Sequence, residues 1–201
     1  MNNLTAEAWE EKYQSNGDRW NLGYAAPPFV SLLTSANAPN PGKMAVLGCG
    51  KGHDALMFAE SGFEIVGFDF APSAIVEATA TAKARAISAQ FLQRDIFTLN
   101  QEFSDRFDYV LEHTCFCAIA PSWRSQYVAV VKSLLRPGGK LIALFYTHNR
   151  PDGPPFGVKP QEVLDYFAAD FEPILFQKAK NSILRRQGNE HLAIFELKPQ
   201  P

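Results

Sequence analysis

The sequence predicts an α/β protein built on a doubly wound, mostly parallel seven-stranded sheet with an antiparallel strand in its C-terminal hairpin. Three observations predict it. Short β-rich runs alternate with helical stretches through the middle of the chain, the rhythm of parallel strands joined by crossover helices. The first four of these runs each stop at a glycine cluster or an acid. The last quarter then breaks the rhythm with two runs joined by a polar segment.

Taken in order, Ala6 to Gln14 and Pro28 to Leu33 read as two helices outside the repeat, and Pro39 to Gly42 is a break too short for an interdomain linker. Met44 to Leu47 is the first strand and His53 to Ser61 the helix that follows it. Glu64 to Phe68 stops at Asp69. The next helix, Ser73 to Ala86, carries a run of alanines, with Pro72 and Ser73 supplying a proline and a cap-type hydroxyl at its start. Phe91 to Gln93 stops at Asp95, and Phe107 to Leu111 stops at Glu112. Pro121 and Ser122 begin the helix Ser122 to Leu135, and Leu141 to Tyr146 follows the turn Pro137-Gly138-Gly139. Gln161 to Ala168 reads helical. Glu172 to Gln177 and His191 to Glu196 form an antiparallel hairpin at the sheet edge, with Arg185 and Arg186 at a solvated tip.

A chain of 201 residues, 46% apolar and 20% charged, suits one domain (residues 1–201) whose core needs no disulfide or metal staple. Its first forty residues read as a helical arm or lid beside the sheet. A net charge of −2 gives no pull toward nucleic acid or an anionic membrane. Three cysteines make no disulfide framework, and the N-terminus lacks the layout of a signal peptide. No apolar run approaches the ~18 residues of a spanning helix. The expectation is a soluble, cytoplasmic protein, a monomer or weak homo-oligomer, acting on a small molecule.

Ligands of open parallel sheets bind beyond the carboxyl ends of the strands. There the chain reads Gly48-Cys49-Gly50-Lys51-Gly52-His53-Asp54, three glycines at alternate positions where backbone must turn sharply and approach a ligand closely. Asp69, at the end of the next strand, can accept both ribose hydroxyls of a nucleoside. Asp95, after the third strand, can accept from an adenine amino group, with the Ile96 amide close by. A nicotinamide dinucleotide site wants GxGxxG or GxGxxA, so that the helix N-terminus can hold a pyrophosphate. Here that third position is His53, and the third glycine comes one residue early. The pattern suits a nucleoside without phosphate, S-adenosylmethionine. An NAD(P)-dependent oxidoreductase and a non-catalytic S-adenosylmethionine-binding regulator are the alternatives.

Four segments carry a resemblance over nearly the whole chain: Trp9-Glu10-Glu11-Lys12-Tyr13 with Asp18-Arg19-Trp20-Asn21-Leu22-Gly23 and Pro27; the glycine turn; Phe116-Cys117-Ala118-Ile119 with Pro121 and Arg124; and Asp152-Gly153-Pro154-Pro155-Phe156. The chain resembles class I S-adenosylmethionine-dependent methyltransferases of the thiopurine S-methyltransferase superfamily, most closely the thiol and halide branch. The resemblance implies the Rossmann-like class I methyltransferase fold, with S-adenosylmethionine as methyl donor and S-adenosylhomocysteine as product. It implies cofactor contacts from Trp9, Tyr13, Trp20, Gly48, Cys49, Gly50, Asp69, Phe70, Asp95, Ile96, Glu112 and His113, and acceptor contacts from Trp20, Phe116, Arg124 and Tyr146. Asn21 stands where the branch often has aspartate, and His113 where tyrosine is common.

Methyl transfer from a sulfonium to a thiolate or halide turns a cation and an anion into two neutral products. A dry pocket that aligns the two accelerates such a displacement, and alignment alone contributes roughly 7 to 11 kcal/mol. Aromatic faces from Trp20, Phe116 and Tyr146 can meet the sulfonium, each worth roughly 0.5 to 2 kcal/mol. A thiol of pKa ~8.5 is partly ionised at neutral pH and a halide carries no proton, so no catalytic base is assigned. Cys115 and Cys117 with His113 fall short of a four-ligand set, and no metal is expected.

Overall fold

A computed structural model describes residues 4–199. The helices α1 (Ala6–Gln14) and α2 (Pro27–Leu33) precede β1 (Lys43–Leu47). Then come α3 (His53–Glu60), β2 (Glu64–Asp69), α4 (Pro72–Ala84) and β3 (Ala89–Gln93). The short α5 (Asn100–Phe103) leads to β4 (Phe107–His113), and α6 (Arg124–Leu134) to β5 (Leu135–Tyr146). The chain ends with α7 (Pro160–Phe167), β6 (Phe171–Lys178) and β7 (Glu190–Leu197). The sheet order is β3-β2-β1-β4-β5-β7-β6, with β7 inserted antiparallel between β5 and β6. The seven-stranded, mostly parallel architecture is thus the one the alternating pattern predicts.

Period-two alternation along the strands feeds two cores. Ala45, Val66, Val110 and Phe145 face α6 and α7, whereas Met44, Ile65, Leu111 and Leu144 face α2, α3 and α4. Ala74, Ala78 and Ala82 repeat every fourth residue on α4 and are buried, so this helix lies close to its neighbours. Among the described residues no helix is long and apolar enough to cross a membrane.

Three local expectations need correction. Ser73 does not cap α4. The N-cap is Ala71, and the Glu10 carboxylate of α1 instead accepts from Ser73 N (3.0 Å) and from its hydroxyl. A charge-assisted bond to an orphan amide at a helix N-terminus outcompetes a local hydroxyl. Ser122 is likewise no cap, because Pro121–Trp123 forms a 3-10 turn before α6. Pro137-Gly138-Gly139 lies within β5, where the register with β4 shifts between Phe107 and Tyr109 and Gly138 takes a φ of 75°. The run is a bulge, and the strand starts earlier than the turn residues suggest.

Candidate active site

The carboxyl ends of β1, β2 and β4 open onto a cavity of about 660 Å3. The glycine turn forms one side. Gly48, Gly50 and Gly52 all adopt left-handed φ values, 59°, 52° and 80°. A Cβ at Gly50 would lie 3.0 Å from the Tyr13 hydroxyl, and one at Gly52 would lie 3.0 Å from both Ala78 Cβ and Phe91 Cζ. The second glycine therefore admits the arm and the third lets α3 start against α4. Across the turn, Asp69 is 8% exposed and accepts from Gly50 N (2.8 Å) and Ala71 N (3.0 Å). Burial pushes its pKa up while those amides pull against it. Each oxygen keeps a second acceptor position, which suits a donor in the cavity.

Aromatic residues of the arm cover the opening. Trp20 meets Trp9 edge-on at 5.2 Å and Tyr13 at 5.5 Å, and its Nε1 donates to the Tyr13 hydroxyl (3.3 Å). Burial, reinforced by Asp69, pushes the Tyr13 pKa well up, so the hydroxyl stays protonated. Polar tethers hold this arm at several points. Besides Glu10 on Ser73, Lys51 bridges Asp18 (3.3 Å) and Glu77 (3.0 Å), and Ala26 N donates to Asp54 Oδ1 (2.7 Å).

The strongest tether is one the sequence concealed. Arg186, expected at a solvated tip, is 7% exposed. Its Nη2 donates to Trp20 O (2.7 Å), and its Nη1 lies 2.8 Å from His113 Nε2 and 3.1 Å from Glu190 Oε1. The other His113 nitrogen is 2.7 Å from Asp54 Oδ2. Burial lowers the His113 pKa, but Asp54 and Glu190 outweigh it and raise the value to about 9. Arginine is only a donor, so its contact with Nε2 requires a lone pair there. The contact holds for the neutral ring with its proton on Nδ1 toward Asp54, whereas the raised pKa favours the imidazolium at neutral pH, a form in which Nε2 turns donor toward Glu190 (3.8 Å) and competes with Arg186.

The structure brings Trp9, Tyr13, Trp20, Gly48, Asp69 and Phe70 to the cavity wall, and with them Ile96, His113 and Tyr146. Cys49 and Gly50 line a smaller recess on the other side of the turn. Four residues proposed from the resemblance lie off the wall. Asp95 uses its Oδ1 to accept from Phe97 N (2.9 Å), capping a short turn. Glu112 is fully buried behind the cavity, accepting from Phe116 N (2.7 Å) and the Tyr127 hydroxyl (3.5 Å), and burial pushes its pKa up to about 7. Phe116 is 1% exposed and packs in the core against Tyr127, Phe145 and Tyr166. Arg124, 3% exposed, donates to the carbonyls of Phe156 (3.2 Å) and Gly157 (3.0 Å), so it braces the Asp152–Phe156 loop. Cys115 and Cys117 reach the cavity, with burial pushing both thiols up, Cys117 to about 12.

The model of one protein family, thiopurine S-methyltransferase, matches residues 4–200. The chain belongs to this family. It is an S-adenosylmethionine-dependent methyltransferase. A probable thiol methyltransferase 2 of Arabidopsis thaliana is 32% identical over 96% of this chain and 85% of its own length. The thiocyanate methyltransferase 1 of Brassica oleracea is 32% identical over 92% and 82%. A solved Burkholderia thailandensis 1,6-didemethyltoxoflavin-N1-methyltransferase, bound to S-adenosylhomocysteine, shares the fold with a TM-score of 0.77 at 21% identity, covering 97% of this chain and 87% of its own. The methyl donor of a thiopurine S-methyltransferase fits the cavity described here, where a Cβ-free turn and a buried carboxylate with spare lone pairs face an aromatic roof. The missed members of the site, Arg186 with Asp54 and Glu190, carried no spacing signal.

Proposed function

We propose that the protein methylates the sulfur of a small soft nucleophile, a thiol, bisulfide or thiopurine, with halides as further acceptors. S-adenosylmethionine supplies the methyl: the acceptor sulfur bonds the methyl carbon as the sulfonium C–S bond breaks, leaving S-adenosylhomocysteine. Asp69 and the Ile96 amide hold the nucleoside, and Trp9, Tyr13 and Trp20 close over the sulfonium. We read residues 1–40, of which 1–3 lie outside the described residues, as the lid of a single cytoplasmic methyltransferase domain, active as a monomer or weak homo-oligomer.

The observation that carries this reading is the roofed cavity itself. Apolar walls, including Ile96, Phe97 and Ile119, strip water from ions whose charges cancel in the transition state. Among the described residues, His113 on its wall has both ring nitrogens engaged, and Asp69, with one backbone amide on each oxygen, gives its remaining lone pairs to the ribose. An acceptor therefore reacts as an anion that has lost its proton to solvent. An acceptor panel with radiolabelled methyl donor tests this, run with iodide, bisulfide, thiocyanate and an aromatic thiol. Labelled methyl sulfides or halides are expected. Tight S-adenosylhomocysteine binding without any labelled product would overturn the reading.

A further inference from the structure

The charge on the cavity is unlike that of the chain. Five of its 19 lysines and arginines line the wall (Lys12, Arg19, Arg150, Arg185 and Arg186) against one of its 21 acids, Asp69. Arg186 is buried and used internally. The other four have no carboxylate partner among the described residues, whereas cations elsewhere, such as Lys43, Arg94 and Lys140, sit 3.0 to 3.1 Å from a glutamate. Arg19, Arg150 and Arg185 are exposed, so they ring the mouth while the interior stays apolar. Arg150 is already oriented: its Nη2 donates to the Tyr146 hydroxyl (3.0 Å), and its guanidinium lies 6.0 Å over that ring.

Given the methyltransferase reading, on which this rests, we infer that the rim selects an acceptor thiol bearing a second anionic group, a mercaptocarboxylate. A small inorganic anion that reaches the dry interior leaves the exposed arginines behind. A thiolate with a carboxylate tail spans both, with sulfur inside and carboxylate on the planar forks of Arg150 and Arg185. Arg19 adds long-range attraction from the arm. The anionic sulfur and anionic tail both favour entry through a cationic mouth, and the neutral sulfide end of the product is held less strongly.

The test compares 3-mercaptobenzoate with uncharged thiophenol, as turnover and as binding to the S-adenosylhomocysteine complex followed by tryptophan fluorescence. The carboxylate is expected to improve kcat/KM and Kd about tenfold at low salt, through two exposed charge pairs, and less at 0.3 M salt. In the double variant R150Q/R185Q the ratio of the two acceptors should fall toward one, and in R150E/R185E it should invert. The ratio cancels any general damage to the variants. A wild-type ratio near one overturns the inference, as does a ratio that survives R150Q/R185Q. So does a double variant in which only S-adenosylhomocysteine affinity falls, since the arginines would then serve the cofactor. A binding preference with no turnover of either thiol would keep the rim assignment and sink the methyl-transfer reading instead.

Discussion

Arg186→Met should cost both stability and cofactor affinity, by separable amounts. The native guanidinium is 7% exposed and is shared by Trp20 O, His113 Nε2 and Glu190 Oε1, while Glu190 is only 2% exposed. Removing one partner of a buried pair costs about 3–5 kcal/mol, because the other charge stays buried. His113 Nε2 is 3.8 Å from Glu190 and recovers part of this by protonating. The expected loss is therefore near the lower end, about 3 kcal/mol, or roughly 6–12 °C in Tm for a chain of this size. The arm keeps its Glu10, Lys51 and Asp54 tethers. It loses only the bond at Trp20 O, so the Kd of S-adenosylhomocysteine should rise about tenfold and not without limit. Arg186→Lys keeps a charge beside Glu190 but lacks the fork that reaches Trp20 O as well, so it should restore most stability and little affinity. Urea melts by circular dichroism give the first quantity and tryptophan-quenching titrations the second. A methionine variant within 1 kcal/mol of the parent that binds S-adenosylhomocysteine equally well would refute the clasp.

Asp69→Ala should weaken S-adenosylhomocysteine binding more than about tenfold in the same titration, since it removes the carboxylate we propose as the ribose acceptor and frees Gly50 N and Ala71 N together; an unchanged Kd would mean that the carboxylate only shapes the turn. Glu112 supplies a pH dependence. Its folded pKa of about 7 lies above the ordinary 4.5, so the folded state binds the extra proton between these values. Its stabilising contribution is complete below about pH 4.5 and is lost as pH rises through 7, a change of about 3 kcal/mol. Glu112→Gln should flatten that slope in urea melts from pH 5 to 8, and an identical slope in the variant would assign it to another group.

The sheet and the glycine turn were legible because their signals are local: alternating strands, glycine where φ is left-handed, and acids at the end of β2 and just after β3. The inward-facing polar cluster was not. Asp54, His113 and the Arg186–Glu190 pair come from three separate stretches, and they meet only because β7 is inserted beside β5. Leu144 pairs with His113 on one side of β5 and Tyr146 pairs with Glu190 on the other. That register sets the start of β7 over the end of β4, and no spacing in the sequence reports it. Phe116 lies in the turn that follows β4, closed by Ala118 N donating to Cys115 O (2.9 Å), and that turn directs Cys115 and Cys117 to the cavity and Phe116 into the core, which no period-two pattern reports. The 3-10 turn Leu184–Arg186, with about three residues per turn, points Arg185 and Arg186 in different directions. One faces the mouth of the cavity and the other is buried under the arm. A single short connection between β6 and β7 therefore supplies both an unpaired cation for an incoming anion and the clasp that holds Trp20 above it, so acceptor capture and closure of the roof share one backbone support.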